Sequence, residues 1–129
     1  MSQPTIKTKE EIEILRQGGK ILAEILKKVA ASAKPGVSTY DLDRLSESLI
    51  FEFGGEPSFK NYKPDGAKTA YPSSLCASVN DEVVHTIPKK DKILKNGDIV
   101  GLDIGMAWPS AKFPISNFQF PIKPLFTDT

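Results

Sequence analysis

Two amphipathic helical patterns followed by a cluster of short strands predict an α+β or mixed α/β layer. Each helical pattern opens on a capping box, and the run from Ile99 to Trp108 is the clearest strand pattern in the chain. At 129 residues the chain fits one domain and can bury a core without staples. Seventeen basic residues against sixteen acidic ones leave a net charge of +1, so charge gives no reason to expect nucleic acid or an anionic membrane as partner.

The first seven residues read as a short tail. Thr8 and Glu11 form the first capping box, each side chain satisfying a backbone N–H at a helix start. Ile12, Leu15, Leu22, Ile25, Leu26, Val29 and Ala33 then recur at helical spacing. Gly18-Gly19 costs helix propensity in the middle of that pattern, which implies close packing or a bend there. Lys34-Pro35-Gly36 stops the helix. Ser38 with Asp41 caps the second, whose stripe is Leu42, Leu45, Leu49 and Phe53, ending at Gly54-Gly55. Both stripes read as core-facing surfaces.

Beyond Pro57 the texture changes, and Tyr62 to Ala70 is polar and turn-rich. Leu75 to Val79 reads as a strand, Asn80-Asp81-Glu82 as a turn, and Val83-Val84-His85 as a second strand. The lysines between Lys89 and Lys95 read as a solvated turn, followed by a turn signal at Asn96-Gly97-Asp98 and the strand Ile99–Trp108. The stretch 109–124 holds four prolines and three phenylalanines, too many prolines for a central strand, and reads as an apolar loop, insertion or distorted hairpin. Leu125 to Thr129 is β-prone.

Asp103 is the most informative residue. On its strand Val100, Leu102, Ile104 and Met106 form one core face, while Ile99, Gly101, Asp103, Gly105 and Ala107 form the other. A mid-strand carboxylate is costly to bury unless paired or bound to a cation. Its glycine neighbours leave space for something to approach. A ligand or metal fits that pattern, and so does a solvent-facing aspartate on a one-sided sheet. His85, the sole histidine, is either structural, simply exposed, or at a strand end near a site. Cys76 reads as a buried small hydrophobe rather than a nucleophile, since no activating base stands near it in sequence. As a lone cysteine it cannot form an internal disulfide, which fits a reducing compartment. The start lacks the apolar core of a secretory signal and no stretch reaches the length of a membrane span, so the expected location is cytoplasmic.

The run Tyr71-Pro72-Ser73-Ser74-Leu75-Cys76-Ala77-Ser78-Val79-Asn80-Asp81-Glu82-Val83-Val84-His85-Thr86-Ile87-Pro88 closely resembles the central motif of type I methionine aminopeptidases, of peptidase family M24. Asn96 to Gly105 resembles the strand that follows in that family. Ile6 to Ile12 with Gly18-Gly19 resembles its first helix, and Lys34 to Thr39 the entry to its second. The agreement spans residues 6–108, in order.

The resemblance implies the amino-terminal half of a pita-bread (creatinase/aminopeptidase) fold, two long helices packed on a mostly antiparallel sheet. It implies metal-dependent removal of the amino-terminal methionine from nascent proteins, with two divalent ions (Co, Mn, Fe or Zn) in the complete enzyme. The expected partners are the amino termini of nascent polypeptides and the ribosome, with no nucleic acid or membrane partner, and the complete protein is expected to be a monomer. By resemblance Asp103 is a metal ligand, His85 the histidine that contacts substrate and stabilises the transition state, and Tyr71 and Cys76 part of the methionine pocket.

Three departures stand out. Thr86 occupies the family's usual glycine position, where a side chain would crowd the substrate path. The second aspartate ligand, usually in a Thr-Asp pair, finds its only candidate in Asp128, 25 residues after Asp103, which implies an insertion at about 109–124. The family's remaining ligands, a histidine and two glutamates, have no counterpart, so residues 1–129 read as a partial catalytic domain lacking its carboxy-terminal half and inactive alone. The alternatives are a non-catalytic pita-bread relative acting as a binding protein, and a proline-directed aminopeptidase of the same fold.

Overall fold

A computed structural model describes residues 4–110 and the backbone of residues 125–128. Helix α1 (Lys9–Ser32) starts at the Thr8–Glu11 capping box and α2 (Thr39–Glu52) at the Ser38–Asp41 box, both with reciprocal bonds made. These are followed by β1 (Glu56–Pro57), β2 (Leu75–Val79), β3 (Val100–Trp108) and β4 (Leu125–Asp128).

Among the described strands the pairing is antiparallel and centres on β3. Its first half pairs with β2, from Val79 opposite Val100 to Leu75 opposite Ile104. Its second half pairs with β4, from Gly105 opposite Asp128 to Trp108 opposite Leu125, and with β1 at Met106 and Ala107. Leu22, Ile25 and Val29 of α1 and Leu42 and Ile50 of α2 close over Leu75, Val79, Ile104 and Met106 of the sheet. The alternation of β3 is therefore as the sequence implies: one face meets the helices and the Asp103 face is left for other work.

Several elements differ from expectation. The buried stripe of α1 is Ile14, Gly18, Leu22, Ile25 and Val29, while Ile12 is exposed. Its centre runs through the buried Gly18. On α2 the polar Asp43 and Ser46 are buried beside Leu42 and Leu49. Val83-Val84-His85 is not a strand. Asn80 and His85 both take positive φ, at 56° each, which turns the chain out of extension and leaves Val83 and Val84 exposed. Strand β1, two residues long and containing a proline, carried no sequence signal.

The lysine-bearing segment is more than a solvated turn. Its backbone returns to the α1–α2 connection, with Gly36 N donating to Leu94 O at 2.8 Å, Leu94 N to Val37 O at 2.8 Å and Thr39 N to Lys92 O at 3.0 Å. The Thr39 hydroxyl donates to Lys89 O and accepts from Lys89 N. Residues 111–124, and with them most of the expected insertion, lie outside the described residues, as does Thr129.

Candidate functional site

On β2, Leu75, Ala77 and Val79 turn to the core, so Cys76 and Ser78 turn to the opposite face. Cys76 stands directly opposite Asp103 in register. A cleft of about 680 Å³ opens over this pair, lined by Phe59, Tyr62, Pro64, Ala67, Thr69, Ala70, Tyr71, Pro72, Cys76, His85, Ile87 and Asp103. Four sequence candidates that lie up to 32 positions apart, Tyr71, Cys76, His85 and Asp103, thus meet at one surface. Position 128 pairs with Gly105, two residues along from Asp103 on the same face of β3.

The cleft is mainly apolar and aromatic. Phe59 and Tyr71 meet edge to face, with ring centroids 6.4 Å apart. The single Tyr71 O–H donates to Leu75 O at 2.9 Å and is shared more weakly with Thr86 O at 3.4 Å, tying the start of β2 to the segment after His85. Burial, the adjacent Cys76 side chain and the charges of Asp43 and Asp103 hold the Tyr71 phenol well above its ordinary pKa, so it acts as a neutral donor. Cys76 is buried, as expected of a small hydrophobe, and still forms part of the wall.

Beneath this wall lies Asp43 of α2, whose Oδ1 accepts from Ser74 N at 2.8 Å and Leu75 N at 3.0 Å. Burial raises its carboxyl above the ordinary value against the opposing pull of those two N–H groups. Sequence reasoning missed it because its position on a helix stripe gives no sign of the strand end it caps.

The glycines beside Asp103 have separate uses. A Cβ on Gly105 would fall within 3 Å of Ser58 Oγ and the Phe59 ring, so the space is occupied by the chain's own cleft wall. A Cβ on Gly101 would meet only Ser78 O, at 3.8 Å. Phe59, Tyr62 and the following loop were not singled out by the sequence; the small residue at 105 was their one trace. Thr86 does not crowd the cleft. Its hydroxyl accepts from Ser78 Oγ at 3.1 Å, and it is absent from the lining.

Asp103 brings one carboxylate to the cleft, and a carboxylate oxygen is a donor type that divalent cations accept. Among the described residues no three His, Cys, Asp or Glu side chains converge as a metal site.

The sequence pattern of metallopeptidase family M24 matches residues 13–111. The chain belongs to metallopeptidase family M24. The methionine aminopeptidase of Aquifex aeolicus (strain VF5) is 46% identical over 98 residues, covering 76% of this chain and 38% of that protein. Methionine aminopeptidase 1 of Bacillus subtilis (strain 168) is 41% identical over 132 aligned positions, covering 95% of this chain and 49% of its own length. The crystal structure of methionine aminopeptidase from Thermotoga maritima superposes with a TM-score of 0.73 at 36% identity, over 81% of this chain and 39% of that one. This M24 chain therefore spans between a third and a half of these relatives, and its helices and antiparallel sheet form part of the pita-bread fold. No helix among its described residues is long and apolar enough to cross a membrane.

Proposed function

We propose that this chain builds the amino-terminal half of a methionyl aminopeptidase site, residues 1–129 being a partial catalytic domain with an insertion at about 109–124. The reading is carried by one observation, the convergence of Tyr71, Cys76, His85 and Asp103 on a single apolar cleft. A pocket walled by aromatic rings and a cysteine sulfur suits an unbranched thioether side chain. Tyr71 and Cys76 hold that side chain, and the His85 imidazole, at the rim, donates a hydrogen bond to the carbonyl oxygen as negative charge develops on it. Asp103 and Asp128 would hold divalent cations together with ligands from the rest of the enzyme; two ions of Co, Mn, Fe or Zn fit such oxygen-rich donors. Bound metal would supply an activated water and polarise the scissile carbonyl. The substrates are amino termini of nascent chains, reached in the cytoplasm at or near the ribosome, by an enzyme that is monomeric when complete.

The test is release of methionine from a Met-Ala peptide when this chain is supplied with the carboxy-terminal portion of a curated relative and Mn, Fe or Co. Metal-dependent release that His85→Ala lowers by about 10²-fold or more is expected. No release with any of the three metals would refute the reading, and cleavage of Xaa-Pro peptides instead would shift it to a proline-directed enzyme. The Thr86 hydroxyl, turned to Ser78 and off the cleft, removes one reason to prefer a purely binding role.

A further inference from the structure

His85 carries φ of +56°, a left-handed conformation uncommon outside glycine, though asparagine, aspartate and histidine adopt it more readily than other residues. Something must hold it there. On its amino-terminal side Val83 and Val84 are 84% and 65% exposed, so packing on that side contributes little. On the other side Thr86 is held three times. Its carbonyl accepts from Ala77 N at 3.1 Å and from the Tyr71 hydroxyl at 3.4 Å, and its own hydroxyl accepts from Ser78 Oγ at 3.1 Å. Ala77 and Ser78 belong to β2, whose register against β3 sets the position of Cys76 opposite Asp103.

We propose that Thr86 is a positioning residue: through Ser78, Ala77 and Tyr71 it locks the turn at His85 and so fixes the imidazole at the rim of the cleft. This rests on the reading that His85 acts on substrate there. A glycine at 86 could make the backbone bonds but would bring no hydroxyl to Ser78 and would leave the peptide beside His85 freer to turn. A β-branched residue narrows that freedom before any ligand arrives. Preorganisation of this kind acts on the chemical step more than on binding, because the imidazole is needed most where charge develops.

His85 and Trp108 are the only histidine and tryptophan, so each gives one unambiguous ring signal in ¹H–¹⁵N spectra of the labelled chain. Thr86→Val should shift or broaden the imidazole signals and speed exchange of the Ala77 amide by about fivefold, the loss expected for one hydrogen bond. Thr86→Ser should restore both. Ser78→Ala should reproduce the valine effect, and the double variant Ser78→Ala/Thr86→Val should be no worse than either single change. The Trp108 indole signal, on the far half of β3, should not move; if Thr86→Val does move it, Ser78→Ala alone decides. Unchanged imidazole signals and Ala77 exchange in Ser78→Ala would overturn the proposal, as would failure of serine to rescue. In the reassembled enzyme Thr86→Val should lower kcat while leaving KM within about twofold. An imidazole shift combined with no effect of His85→Ala on methionine release would refute the catalytic reading and leave the lock standing. Loss of release in His85→Ala with unchanged spectra in both hydroxyl variants would refute the lock alone.

Discussion

Asp43 offers the sharpest test of how the helical layer supports the cleft. Its Oδ1 takes the N–H groups of Ser74 and Leu75, at 2.8 and 3.0 Å, where β2 begins, and the residue is 5% exposed. Asp43→Ala leaves both donors buried without an acceptor, and each such donor costs about 1–3 kcal/mol, for a loss of about 2–6 kcal/mol. In a domain holding about 5–15 kcal/mol in total that is a large share. Asp43→Asn keeps an oxygen in place and sheds the burial penalty of the charge, so at pH 7 it should stay within about 1 kcal/mol of the parent. Burial raises the Asp43 carboxyl, so the folded chain takes up its proton at a higher pH than the unfolded chain does. The stability linked to that proton is fully present below the unfolded value of about 4 and is lost as pH rises through the folded value. The difference between the two proteins should therefore move in favour of asparagine as the medium goes from acid to neutral. Urea unfolding of the parent and both variants across that range reads all three quantities. An alanine variant within about 0.5 kcal/mol of the parent, or an asparagine variant as weak as alanine, would refute the reasoning.

Gly105→Ala should force Ser58 and Phe59 aside, costing about 1–3 kcal/mol in thermal unfolding and reshaping the cleft wall; a neutral effect would mean the contact relaxes freely. Absorbance titration at 295 nm should give the same tyrosinate signal for the parent and for Tyr71→Phe up to about pH 11, because the raised phenol stays protonated past the usual tyrosine value of about 10. An extra step in the parent below that pH would contradict the environment described for Tyr71. Asp103→Asn should abolish metal-dependent methionine release in the reassembled enzyme while shifting the urea stability of the chain by less than about 1 kcal/mol. A loss of fold in that variant would make Asp103 structural and not a ligand.

Both helices, their caps, and strands β2 and β3 were legible in the sequence because each is specified locally: a capping box, a spacing, an alternation of faces. Asp103 stood out for the same reason, as a charge on the wrong kind of strand position. What local patterns could not convey were pairings over distance. Asp43 looks like any helix residue until β2 arrives beneath it. Gly105 looks like room for a ligand until Phe59 fills it. Val83-Val84 looks like a strand until the left-handed turns at Asn80 and His85 deny it a partner. Tyr71, Cys76 and His85 could be assigned to a pocket only by resemblance, since nothing in their own spacing brings them together.

The stitch between Thr39 and Lys89 spans fifty residues, and it closes the start of α2. A chain growing from its amino terminus must release everything through Lys89 before that closure can form. Even then the buried stripes of the two helices still lack Ile104 and Met106 of β3. The helical layer is thus not an early, finished subdomain onto which a sheet is later laid. Helices and strands share one core, which is complete only once β3 is in place.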